Sequence, residues 1–127
     1  MKKVTMSCQF DASLITPETS HLTLIRVKHI DFTKLYGIKD IVIKNFIGGD
    51  SVLFKDNSCV KLVDCYFKEI VINNCVLKLT LNTRVGTLIG VNVMLYSGGG
   101  DFNVVNNNST GCCIVRHFAK KNTRVTH

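Results

Sequence analysis

Apolar residues recur two apart along most of this chain, and a polar, turn-prone residue closes many of the short runs they form. The runs are IRVKHI (Ile25 to Ile30), IVIKNF (Ile41 to Phe46), VLFKDN (Val52 to Asn57), VKLVDC (Val60 to Cys65), IVINNC (Ile70 to Cys75), LKLTLN (Leu77 to Asn82), VNVMLY (Val91 to Tyr96), FNVVNN (Phe102 to Asn107) and CIVRHF (Cys113 to Phe118). Each has apolar first and third positions, and the fifth is often polar: His29, Asn45, Asp56, Asp64, Asn74, Asn106, His117. The starts lie 7 to 16 residues apart, most near ten. Residues two apart point to one side of a strand. Asn and Asp two positions further on tolerate left-handed backbone and bend the chain away. The pattern therefore predicts an all-β chain of many short strands joined at tight corners.

Two architectures satisfy it. In a short parallel β-solenoid, two runs make one coil, which gives about four to five stacked coils. In an antiparallel sandwich or small barrel, the same short strands pair through hairpins. Strict alternation in LTLIRVKH and LKLTLN suits an antiparallel strand with one wet face. Recurrent Asn and Asp at equivalent corners, and Cys65 and Cys75 just after them, favour the solenoid, with side chains bonded from coil to coil and small residues stacked inside. In this pattern, from Leu22 to Phe118, the chain resembles right-handed parallel β-helix proteins. The resemblance names no particular family.

The chain is read as one domain of 127 residues. Residues 1–23 hold the only proline, Pro17, show no sustained period, and are expected to cap one end of the stack. Gln9 to Leu14 reads as a short strand or helical turn, and TPETSH (Thr16 to His21) as a loop or single turn. Residues 24–118 form the repeat body, and residues 119–127 a basic tail.

Composition agrees with strand. Val, Ile and Thr are abundant, Ala occurs twice and Trp is absent, and branched side chains suit a pleated surface better than a helix. The start MKKVTMSC lacks the apolar core of a secretory signal, and no apolar run approaches the ~18 residues of a membrane span. A cytoplasmic protein is expected, with its six cysteines as free, mostly buried thiols. No membrane partner and no cofactor are expected. The compact chain, rich in Ile, Lys and Asn, has the coding style of a viral or phage accessory protein from an AT-rich genome, which would place it in host cytoplasm.

The motifs point away from chemistry. Cys112, Cys113 and His117 include metal-ligating types, but on a strand Cys113 and His117 stand roughly 13 Å apart, too far for one ion. SGGGD (Ser97 to Asp101) is followed by a strand and lacks the lysine of a phosphate-binding loop. Parallel β-helices include carbohydrate-active enzymes with clustered carboxylates. Of the nine carboxylates here, Asp40, Asp50 and Asp56 flank turns instead.

Charge is the strongest surface signal. The net charge is +7, a balance that attracts polyanions. Arg116, His117, Lys120, Lys121 and Arg124 gather at the C-terminus, and in a solenoid Lys44, Lys55 and Lys61 would share one outer face. These eight are the candidate binding residues; the plainer reading of such lysines is protection of sheet edges. The expectation is a small non-enzymatic binding or assembly module that uses a rigid β face towards a protein partner or its own copies. Nucleic-acid binding through the basic surface is the alternative, and a small carbohydrate-active enzyme the second.

Overall fold

In the computed structural model, backbone is described for residues 2–80, 82–97, 101–105, 112–117 and 124–126, and side chains for residues 2–80 and 82–96. The strands are β1 (Lys2–Ser7), β2 (Thr19–Ile25), β3 (Asp40–Lys44), β4 (Ile47–Phe54), β5 (Cys59–Val63), β6 (Tyr66–Leu79), β7 (Arg84–Ser97), β8 (Asp101–Val105), β9 (Cys112–His117) and β10 (Arg124–Thr126). Every pairing is parallel. The chain is a β-solenoid of about five coils, not a sandwich or barrel.

Register defines the coil. Val4, Leu22, Ile41, Val60, Leu77, Leu95 and Ile114 are successive partners, 17 to 19 residues apart. They form one row of the first face, built from β1, β2, β3, β5, the second half of β6, the second half of β7, and β9, and Val4 to Leu95 of this row are buried. On the second face, built from β4, the first halves of β6 and β7, β8 and β10, the inward row is Val52, Ile70 and Leu88, with Val104 next in register. Leu24, Ile43, Val60, Leu62, Phe67, Ile70, Ile72, Leu77, Leu88 and Leu95 have no exposed surface, and each such side chain contributes about 1.5–3 kcal/mol of burial. The strict alternation that suggested antiparallel strands has a simple origin. No helix covers the outside of a solenoid, so a parallel strand here keeps one wet face, unlike the sheets of α/β proteins.

The corners explain the recurring polar letters. Nine of the described residues adopt left-handed backbone, in two columns: Cys8, Arg26, Asn45, Asp64 and Asn82 at one corner, and Gly37, Asp56, Asn74 and Asn92 at the other. Asn74 and Asn92 bend β6 and β7 in the middle, so each of these strands belongs to both faces. At the bend the ladder continues: the backbone N–H groups of Cys8, Arg26, Asn45 and Gly37 donate to Ile25, Lys44, Val63 and Lys55 carbonyls of the next coil at 2.9–3.0 Å. Asn92 Nδ2 donates to Asn74 Oδ1 at 2.8 Å, one rung of the expected side-chain ladder. The residue after every corner but Cys8 turns inward, which buries Val27, Phe46, Cys65, Thr83, Ile38, Asn57, Cys75 and Val93. Asn45, Asp56, Asp64 and Asn74 stand at corners as expected. His29 does not: the strand ends at Ile25 and the corner is Arg26, so IRVKHI straddles a bend. Asn106 lies outside the described residues, and His117 is the last residue of β9.

The N-terminal coils are less regular. β1 and β2 keep the 18-residue register, so stacking begins at Lys2. Their second halves are loops, with 3-10 turns at Ala12–Leu14 and Phe32–Leu35 whose N-caps are Asp11 and Asp31. Phe10 and Ile15 pack against the core. Phe32 packs edge-on against Phe46, Phe54 and Phe67, with ring centroids 5.6–6.2 Å apart. Buried Asn57 pins the second loop by donating through Nδ2 to the carbonyls of Leu35 and Ile38, at 2.9 and 2.6 Å.

Candidate binding faces

A coil uses its inward positions for the core, so outward positions are free for partners. On the first face, partner register aligns three rows, outward from β1 to β7. One runs Lys3, His21, Asp40, Cys59, Val76, Met94, Cys113. The middle row runs Thr5, Thr23, Val42, Lys61, Lys78, Tyr96, Arg116. The third runs Ser7, Ile25, Lys44, Val63. Lys61 and Lys78 are exposed, and Met94 is 43% exposed.

The N-terminal part of this face carries a polar tie. His21 Nε2 lies 3.1 Å from Asp40 Oδ2, and Ser20 Oγ lies 2.8 Å from His21 Nδ1. The three residue types are those of a hydrolase triad, but they lie on an outer strand surface and line neither of the two cavities described below. Their evident role is to link β2 to β3.

The second face is different. Leu53, Val71, Ile89 and Val105 stand in register across four strands, the first three between inward residues. Leu53, Val71 and Ile89 are half-buried. Ser51, Glu69 and Thr87 flank this apolar row on one side, with Ser51 Oγ donating to Glu69 Oε1 at 2.6 Å. Lys68 and Arg84 lie beyond, and Arg84 is in register with Asp101.

Two open cavities lie beside the irregular coils. One of about 450 Å³ is bounded by Lys28 to Phe32 and Phe46 to Val52. The other, about 320 Å³, lies between Cys8, Gln9, Phe10 and the same Lys28 and His29.

The sequence candidates separate accordingly. Lys44 and Lys61 share the first face but occupy different rows, Lys44 beside Val63 and Lys61 beside Val42. Lys55 follows β4 at the other corner and is not on that face. The C-terminal group divides too: Arg116 and His117 belong to β9 on the first face, whereas Arg124 is in β10, paired to β8 on the second. Lys120 and Lys121 lie outside the described residues. Lys78 and Tyr96, absent from the candidate set, complete the middle row. The 17 residues from Lys61 to Lys78 equal one coil, a signal readable only once the coil length is known.

Thiols and carboxylates have structural surroundings. Burial pushes the Cys75 thiol up to about 12 and also raises Cys59 and Cys65, the reverse of nucleophile activation. Asp11 and Asp31 cap 3-10 turns, and Asp56 and Asp64 are corner residues. Among the described residues, no group of three or more His, Cys, Asp or Glu side chains is placed to hold a metal ion, and no helix is long and apolar enough to cross a membrane.

Neither protein-family models, nor curated proteins, nor solved structures give a match to this chain.

Proposed function

We propose that this protein is a non-enzymatic assembly module that pairs with a second copy of itself through its second face. The observation that carries the reading is the outward row Leu53, Val71 and Ile89, three branched apolar residues aligned on a rigid parallel sheet, with Val105 next in register. The fold does not need them apolar: alternation fills the core from the opposite side of each strand. Stacked sheets interdigitate across about 10 Å, and such a row supplies the layer between them. The charges beside it favour a second copy as occupant. Lys68 and Glu69 are consecutive in β6 and Arg84 begins the neighbouring β7, so a copy rotated by a two-fold axis meets both signs, not uniform repulsion, and the contact closes on itself.

Size-exclusion chromatography with light scattering tests this. The expected result is a defined multiple of 14.2 kDa at micromolar concentration, reduced to the monomer by Val71→Glu or Ile89→Lys, with far-UV circular dichroism unchanged. A monomeric wild type at 100 µM, or an assembly that survives both substitutions, overturns the reading.

A further inference from the structure

We propose that the first face binds single-stranded nucleic acid, laid across the strands along the middle row Lys61, Lys78 and Tyr96. This goes beyond the assembly reading and uses the opposite side of the coil.

The first observation is register. Lys61 pairs with Lys78, Lys78 with Tyr96, and Tyr96 with Arg116. Neighbouring strands lie about 4.8 Å apart, so Lys61, Lys78 and Tyr96 make a straight line of roughly 10 Å parallel to the solenoid axis; the pairing with β9 shifts register between Leu95 and Tyr96. Two ammonium groups stand on adjacent rungs, an arrangement that is destabilising unless an anion relieves it.

The second observation is position within the sheet. Lysines on edge strands are readily explained, because they discourage pairing with other chains. These are not on edges. β5 is hydrogen-bonded to both β3 and β6, and β6 to both β5 and β7. Edge protection therefore does not account for Lys61 or Lys78, and their charges face solvent from the middle of the sheet.

The third is the absence of neutralising groups in these strands. The first-face segments of coils from β5 onward read CVKLV, VLKL, VMLYS and CCIVRH, with no Asp or Glu among them. In the N-terminal coils of the same face, Asp40 is present and already paired with His21. The cationic line is thus confined to one half of the face.

Tyr96 decides between polyanions. It is half-buried, follows Lys61 and Lys78 in the row, and has Met94 beside it on β7. An aromatic ring next to two cations suits unpaired bases, which stack on it while the phosphates follow the cations. A duplex hides its base faces, and a flat sheet offers no element to enter a groove. An acidic peptide would use the lysines but not the ring. The length of the row matches a few nucleotides, with about two phosphates neutralised.

The test is fluorescence anisotropy with fluorescein-labelled 12-mers of dT and dA, against a labelled 12-residue polyglutamate, using the full chain. For two phosphate contacts, log K should fall with log salt at a slope of about −1.4, so affinity drops roughly 7-fold between 50 and 200 mM salt. Lys61→Glu with Lys78→Glu should weaken oligonucleotide binding at least 10-fold and flatten the salt slope. Tyr96→Ala should weaken it at least 5-fold and leave the slope unchanged. Lys55→Glu, off this face, should have the smallest effect. Circular dichroism confirms that each variant is folded. Absence of oligonucleotide binding at 50 mM salt overturns the proposal. So does polyglutamate binding as tightly as dT with Tyr96→Ala indifferent, which would mark a general anion surface. Light scattering on the same samples reports assembly separately, so either reading fails without the other.

Discussion

Asn74 tests what holds a corner together. It is exposed, has φ +52, and accepts the Asn92 amide at 2.8 Å. Two effects overlap there. The side-chain hydrogen bond is solvent-accessible, which places it near the lower end of the range, about 0.5 kcal/mol. Left-handed backbone costs an ordinary L-residue about 1–2 kcal/mol, and Asn is among the few that adopt it routinely. For valine, whose branched Cβ crowds the following carbonyl, the upper end applies. Asn74→Val should therefore destabilise by about 2 kcal/mol, mostly through the backbone. Asn74→Ala should cost about 1 kcal/mol, while Asn74→Gly and Asn74→Asp should stay within about 0.5 kcal/mol, Gly by fitting the bend and Asp by still accepting the Asn92 amide. Urea titration followed by circular dichroism near 215 nm measures the series. If Gly costs as much as Val, the hydrogen bond and not backbone handedness holds the corner, and the account given for all nine left-handed positions fails.

Glycine positions give a second test. A Cβ on Gly86 would lie 2.6 Å from the Lys68 carbonyl oxygen, whereas one on Gly49 would meet nothing within 4 Å. Gly86→Ala should destabilise by about 1–3 kcal/mol by forcing β6 and β7 apart, and Gly49→Ala should leave the urea midpoint unchanged. The thiols give a third. Cys8 is exposed, while Cys65 and Cys75 are buried. Iodoacetamide at pH 8, followed by peptide mass spectrometry, should label Cys8 first and the other two only on unfolding; equal rates at Cys8 and Cys75 would contradict their placement. The sign of the pH effect follows from the same burial. Because the folded Cys75 thiol titrates at about 12, its contribution is complete below the unfolded thiol pKa of about 8.5. It is lost as pH rises from there towards 12.

Much of the solenoid was legible because its physics is local. A residue that must bend left-handed every half coil is written as Asn or Asp at positions 45, 56, 64, 74, 82 and 92, and the inward rows are written as Val, Ile and Leu two apart. The first coils were harder. Their corners are Cys8, Arg26 and Gly37, and two of these three residue types carry no turn signal. The candidate site was less legible still. Whether Lys61 neighbours Lys78 or Lys55 depends on coil length and on how residues divide between faces, and neither is a property of any short run. Lys55 was grouped with Lys44 and Lys61 on shared patterning, but the bend at Asp56 places it at the opposite corner.

The constant register also governs how such a chain can change length. Each coil contacts only the coils above and below it, and each begins at a left-handed residue equivalent to the one 18 or 19 positions away. Removing or duplicating a whole coil, such as the stretch from Asn45 to Val63, joins one bend to another and leaves every remaining inward row continuous. Whole coils can then be inserted or deleted, and single residues are absorbed at corners and bulges, where coils of 17 to 19 residues already differ, while a gain or loss of one residue within a strand turns the rest of it inside out. Lineages of this protein can accordingly lengthen or shorten their outer faces rung by rung, changing reach without redesigning the core.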